Sequence, residues 1–154
     1  MGELVLRIFE VSSPERIALS NDVCSGLQIV EHLQDVGEDM AADRVYLPLN
    51  DLRSLGCTLA ALGAPQTSPA LRAVLRFEAG RARRLLGSVV PLARYLPLQP
   101  RIAVCGFAAG GLAALSAIEG AGYEVLARRC HPRPLRLALH LGRTGLAASR
   151  GRGE

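Results

Sequence analysis

Lysine and tryptophan are absent from this 154-residue chain, and its aromatic residues are limited to three Tyr and three Phe. Sparse aromatics leave no platform on which successive bases could stack, so the basic excess of +4 does not read as a nucleic-acid surface. The four cysteines, Cys24, Cys57, Cys105 and Cys130, form no CxxC pair, which argues against a zinc site or a disulfide framework. Reduced thiols in a cytosol are the default. Secretion is not expected from this sequence, because Glu3, Arg7 and Glu10 interrupt the first apolar residues. No internal repeat or low-complexity domain is visible.

What remains is apolar and helix-forming. Hydrophobic residues make up 49% of the chain, mainly Leu, Ala and Val, which favours an all-α fold over short paired strands. The length suits one domain, expected over 1–147, with a disordered tail at 148–154. Charge is unevenly divided. Residues 1–66 hold ten acids against four arginines, and residues 67–154 hold four acids against fourteen arginines, or −6 and +10.

Met1 to Val11 has a helical rhythm with no capping residue. Ser12-Ser13-Pro14-Glu15 is a strong helix start, and the pattern then continues to about Asp39. Asp43 to Pro48 should be extended, and Asn50 to Leu55 should form a short helix ended by Gly56. Thr67-Ser68-Pro69 opens a second long helix to about Leu96, with a break expected at Pro91. Another spans about Pro100 to Gly120 and contains the uncharged stretch Ile102 to Ile118. Its Ala, Gly and Ser content fits a buried helix of a soluble fold better than a membrane span. A basic helix is expected over 134–147.

The informative run is Gln28-Ile29-Val30-Glu31-His32-Leu33-Gln34-Asp35-Val36-Gly37-Glu38-Asp39, with Arg44-Val45-Tyr46-Leu47-Pro48 close behind. Helical spacing puts Asp35 and Asp39 one turn apart, where two like charges repel unless a cation lies between them. A carboxylate pair on a helix can share Mg²⁺ with a phosphate. On spacing alone, a solvated acidic face is the better reading of the pair; the following Arg44-Val45-Tyr46-Leu47-Pro48 reverses that and favours the site. His32 reads as a structural histidine, and Arg81, Arg83 and Arg84 as a solvated helix surface.

Gln28, Asp35-Val36-Gly37-Glu38-Asp39 and Arg44-Val45-Tyr46-Leu47-Pro48 together resemble the second aspartate-rich motif of the squalene/phytoene synthase family. Gly110-Gly111-Leu112, Ile118-Glu119 and Gly122-Tyr123-Glu124-Val125-Leu126 are similar to that family's closing helix. Glu31 and Gln34 look more like the bacterial hopanoid-pathway branch, the hydroxysqualene synthase type. Phytoene synthases usually carry Asn and Arg at those positions.

The resemblance implies an isoprenoid synthase helical fold in which two acidic motifs hold Mg²⁺ against diphosphate around a central cavity. Asp35 and Asp39 then match metal ligands, Gln28, Glu31 and Arg44 match substrate-binding positions, and Tyr46 matches a catalytic one. The implied substrate is a prenyl diphosphate, farnesyl or presqualene diphosphate. The first acidic motif has no counterpart before Gln28, so the chain resembles only the carboxy-terminal half. A separately encoded amino-terminal half is an expected partner. The arginine-rich end suggests weak contact with the inner face of a membrane, from a cytoplasmic protein, with no nucleic-acid partner. The competing reading is a non-catalytic helical interaction module derived from the same fold.

Overall fold

Ser-Pro pairs open the two long central helices of the structure, a computed structural model that describes residues 2–127, 139–142 and 144. In chain order the helices are α1 (Gly2–Ile8), α2 (Pro14–Gln34), α3 (Val36–Ala41), α4 (Leu49–Ser54), α5 (Pro69–Gly87), α6 (Val89–Tyr95) and α7 (Leu98–Gly120). A 3₁₀ turn, Leu59–Gly63, lies between α4 and α5. Among the described residues there is no strand, so the expected all-α class holds. At α2 the Ser13 hydroxyl accepts from the Arg16 N–H at 3.3 Å, and at α5 Ser68 accepts from Leu71 N–H at 3.2 Å. Each satisfies a donor that the helix itself leaves open.

The two expected long helices are both interrupted, at other places than anticipated. The first stops at Gln34, and Asp35 leaves helical geometry at φ −104°, ψ 11°, before α3 begins. This break turns Val36 into the core and sets Gly37 against Leu126. The second breaks at Ser88 rather than Pro91. Pro91 is the third residue of α6 and has no N–H to offer the Gly87 carbonyl four residues earlier, so the ladder is interrupted in the turn before it. Pro100 takes the same position in α7, so that helix starts at Leu98.

Four helices end in the same six-residue device. In α1, α3, α4 and α7 the residue two past the cap donates back across the last turn: Val11 to Leu6, Arg44 to Asp39, Cys57 to Leu52 and Tyr123 to Ile118. That closure needs a left-handed residue between. Gly56 and Gly122 supply it freely, but Glu10 and Asp43 adopt it at φ 56° and 57°. The turn at Asp43 reverses the chain and lays Arg44 back over α3.

The core lies where α2, α5 and α7 meet. α2 and α5 run antiparallel, with Ser88 donating to Asp22 at 2.8 Å at one end. Leu33, Leu71, Leu75, Leu86, Leu115 and Ile118 are fully enclosed, each burial contributing about 1.5–3 kcal/mol. Small residues bring the axes close: a Cβ at Gly26 would stand 3.0 Å from Leu86, and one at Gly111 would stand 3.0 Å from Leu27 and 3.1 Å from Leu86. α7 has the length and mean hydropathy, 1.7, of a membrane-crossing helix. Its Ala108, Ala113, Leu115 and Ile118 are nevertheless buried inside the bundle, which accounts for the uncharged stretch as a core helix.

One polar clamp closes the bundle. The Glu124 carboxylate accepts from the Thr67 hydroxyl at 2.7 Å, from Thr67 N–H at 3.0 Å and from Ala127 N–H at 3.2 Å. Arg72 pairs with its other oxygen at 2.5 Å and donates to the Gly122 carbonyl. Thr67 holds the Glu124 carboxyl down to about 2, the backbone donors and Arg72 adding to the effect. The expected basic helix over 134–147 and the tail at 148–154 lie largely or wholly outside the described residues, as does Cys130.

Candidate functional site

Helical spacing places Cys24, Gln28, Glu31 and Asp35 along one edge of α2, away from the face that meets α5. Gln28, Glu31 and Asp35 are exposed there. The break after Gln34 does not separate the two aspartates, because Asp39 N–H still donates to the Asp35 carbonyl at 2.8 Å. They remain one turn apart, as the spacing requires.

Asp39 is the more enclosed of the pair, its side chain only 13% exposed. Its Oδ1 accepts from Arg44 Nη2 at 3.3 Å and Nε at 3.4 Å. Its Oδ2 lies 3.7 Å from His32 Nδ1. The His32 ring is stacked on Tyr46, centroids 4.0 Å apart and planes 14° from parallel. Leu47 is buried beneath this group and anchors the extended segment that carries Arg44 and Tyr46. The structure thus gathers Asp39, Arg44 and Tyr46 with His32, a residue that sequence reasoning took as structural. Gln28, Glu31 and Asp35 stand apart from them on the open edge.

An apolar cavity of about 260 Å³ continues along that same edge of α2. Val23, Cys24 and Leu27 line it from α2, Val5 and Leu6 from α1, Leu92 from α6, and Val104 and Phe107 from α7. Of its lining Phe107 is 65% exposed, and elsewhere on α1 and α7 Leu4, Ile8, Leu98 and Ile102 are each more than 60% exposed. A polar, acidic end and an apolar cavity therefore share one helix.

Among the described residues, no three of His, Cys, Asp and Glu come together as a metal cage. Mg²⁺ is commonly bound through one or two carboxylates, waters and substrate phosphates. Asp35 and Asp39 are hard oxygen donors at a spacing that fits this role.

Behind the site lies a second ionic group. Glu78 on α5 is 2% exposed and pairs with Arg81 at 3.1 Å, while Arg81 reaches Asp51 of α4 at 3.6 Å. Burial pushes the Glu78 carboxyl up, a hydrogen bond with Asp51 pushes it further, and Arg81 opposes both. Arg81 is therefore a bridge between helices, and Arg83 pairs with Glu119 at 2.6 Å; the expectation of a merely solvated surface fails for both. The spacing of Glu78 and Arg81, three residues apart on one helix, was the available signal.

The squalene/phytoene synthase family profile matches residues 1–136. Phytoene synthase of Thermus thermophilus is 35% identical over 123 residues, covering 79% of this chain and 42% of that protein. Hydroxysqualene synthase of Rhodopseudomonas palustris is 45% identical over 75 residues, covering 48% and 26%. In structure, squalene synthase HpnC from Alicyclobacillus acidocaldarius superposes with a TM-score of 0.73 at 36% identity, covering 79% of this chain and 46% of that one. The chain thus spans less than half the length of the relatives it matches. On the profile match and these likenesses, which include hydroxysqualene and squalene synthases, the chain belongs to the squalene/phytoene synthase family.

Proposed function

We propose that this chain forms the carboxy-terminal half of a squalene/hydroxysqualene synthase-type active site, acting on farnesyl or presqualene diphosphate in squalene or hopanoid biosynthesis. The observation that carries the reading is the shared helix: α2 presents Glu31 and Asp35 at one end of an edge and the apolar cavity at the other. An amphiphile with a diphosphate head and a prenyl tail has that polarity and length.

Each residue has a role in this scheme. Asp35 and Asp39 would hold Mg²⁺, which neutralises the departing diphosphate. Arg44 offers a guanidinium fork to the same head group. Gln28 and Glu31 orient the substrate along α2, and Tyr46 stands beside the reacting carbon. Val23, Leu27 and Phe107 keep water from the allylic cation once the diphosphate leaves.

The exposed apolar side chains on α1 and α7 support a partner. An amino-terminal half bringing its own carboxylates, whether encoded separately or joined to this chain, would cover Leu4, Ile8, Ile102 and Phe107 and complete the metal set. The arginine-rich end adds weak attraction to an anionic membrane on the cytoplasmic side.

The test is calorimetry of farnesyl and presqualene diphosphate with Mg²⁺, using the chain alone and with the amino-terminal half of a relative. Binding that requires Mg²⁺ is expected in both cases, and turnover with the added half. Asp35→Asn with Asp39→Asn should weaken binding at least tenfold, as expected when charge-assisted contacts are lost. Unchanged binding in that double variant overturns the site. The absence of any Mg²⁺-dependent binding would instead favour the non-catalytic interaction module.

A further inference from the structure

Each carboxylate oxygen of Asp39 faces a side chain, Oδ1 accepting from Arg44 and Oδ2 lying near the His32 ring. Arg44 occupies Oδ1 at 3.3 Å and His32 approaches Oδ2 at 3.7 Å, while Asp35, one turn earlier, is exposed to solvent. Two aspartates of one motif are thus in unlike states. A cation arriving at this edge finds Asp35 available and Asp39 held.

Three features show that the hold is built. The left-handed turn at Asp43 and the Arg44 N–H bond to the Asp39 carbonyl at 2.8 Å fix Arg44 directly above the carboxylate. The Tyr46 ring, stacked on His32 at 4.0 Å, fixes the imidazole against the second oxygen. Leu47, buried one residue later, ties the segment that carries both to the core. The contacts are nevertheless long, at 3.3–3.7 Å, and the Arg44 side chain is 55% exposed, so each partner can leave without unfolding anything.

We propose that His32 and Arg44 are placeholders for the metal at Asp39, exchanged for it when a Mg²⁺–diphosphate head group docks. On this scheme Asp35 receives the incoming cation first. Asp39 then gives up Arg44 and His32, and Arg44 swings to the diphosphate oxygens that arrive with the metal. The His32–Tyr46 stack shifts in the same step, coupling the position of Tyr46 to occupancy of the metal site. No covalent bond changes, and the guanidinium passes from one anion to another. His32 is accordingly a positioning residue, acting on Asp39 and Tyr46 rather than on substrate. The proposal rests on the diphosphate reading above.

Its consequence is an effect of opposite sign on two ligands. Removing Arg44 frees Asp39 and so favours the bare metal, yet removes a contact to the diphosphate. In the full chain, Arg44→Gln should bind Mg²⁺ alone about two- to fivefold more tightly, the equivalent of one released surface ion pair. The same variant should bind inorganic pyrophosphate in excess Mg²⁺ about tenfold more weakly. His32→Phe retains a stacked ring but loses the nitrogen, so it should tighten Mg²⁺ about twofold while keeping the near-UV circular dichroism of Tyr46. That band is readable because the chain has no tryptophan and three tyrosines. In the wild type it should change on loading with Mg²⁺ and pyrophosphate, and the change should be missing from Tyr46→Phe.

The outcomes separate cleanly. If the wild type binds Mg²⁺ and pyrophosphate but Arg44→Gln binds Mg²⁺ equally or less well, the exchange is overturned and the diphosphate site stands. If the wild type binds neither, both the diphosphate reading and the exchange fall. Far-UV circular dichroism identical to wild type shows that the variants are folded.

Discussion

α2 has two sides, and they are treated in opposite ways. Toward α5 and α7 it offers Val23, Gly26, Val30 and Leu33, all enclosed, against partners small enough for the helices to touch. On its other side Cys24 and Leu27 line the cavity, and Gln28, Glu31 and Asp35 farther along are exposed. On the first side every buried polar side-chain atom among the described residues has a partner. The second leaves large apolar side chains bare and the carboxylates of Glu31 and Asp35 exposed. On the proposed function, the uncovered face is the one that a prenyl diphosphate and a complementary half would occupy.

That contrast can be broken most sharply in the closed face. Leu86, fully buried between Gly26 and Gly111, has nothing nearby able to collapse into its place, so Leu86→Ala should lower the unfolding free energy by about 3 kcal/mol, read from urea denaturation. The clamp comes next: Glu124→Gln should cost about 2 kcal/mol at neutral pH, since it weakens charge-assisted bonds to Thr67 and Arg72. The folded carboxyl, at about 2, sits below its ordinary 4.5, so the stability it contributes is present in full above pH 4.5 and is lost as pH falls through 2. Wild type and variant should therefore converge in acid, in a comparison of denaturation midpoints between pH 7 and pH 2. The smallest effect belongs to the open face. Phe107→Ser should change stability by less than about 0.5 kcal/mol while reducing binding of an apolar dye, because Phe107 is 65% exposed. A loss there as large as that of Leu86→Ala would mean that the cavity rim is part of the core.

Local chemistry made much of this legible. The Ser13 and Ser68 caps followed by proline mark both long helices at the correct residue, and Gly56 ends α4 as read. The break expected at Pro91 falls three residues earlier, at Ser88, within the turn that the proline leaves unbonded, whereas the break after Gln34 was not expected because no proline or glycine marks it. Helix ends at Glu10 and Asp43 were missed for the same reason, since a left-handed acidic residue has no glycine to announce it. At the candidate site, spacing correctly set Asp35 and Asp39 one turn apart. It could not show that Asp39 is covered and Asp35 is not, which depends on the reversal at Asp43. Nor could it show His32 against Tyr46, a contact between residues fourteen apart that only the folded turn creates.

Gly111 ties the two faces together. Leu27, the side chain that an added Cβ there would strike, lines the cavity, and Leu86, its other neighbour, sits in the core. The separation of α7 from α2 is thus a single dimension with two readers, one measuring packing and the other the width of the cavity. Substitutions that retune the cavity at this point are necessarily tested for folding at the same time, and the position carries the constraints of both.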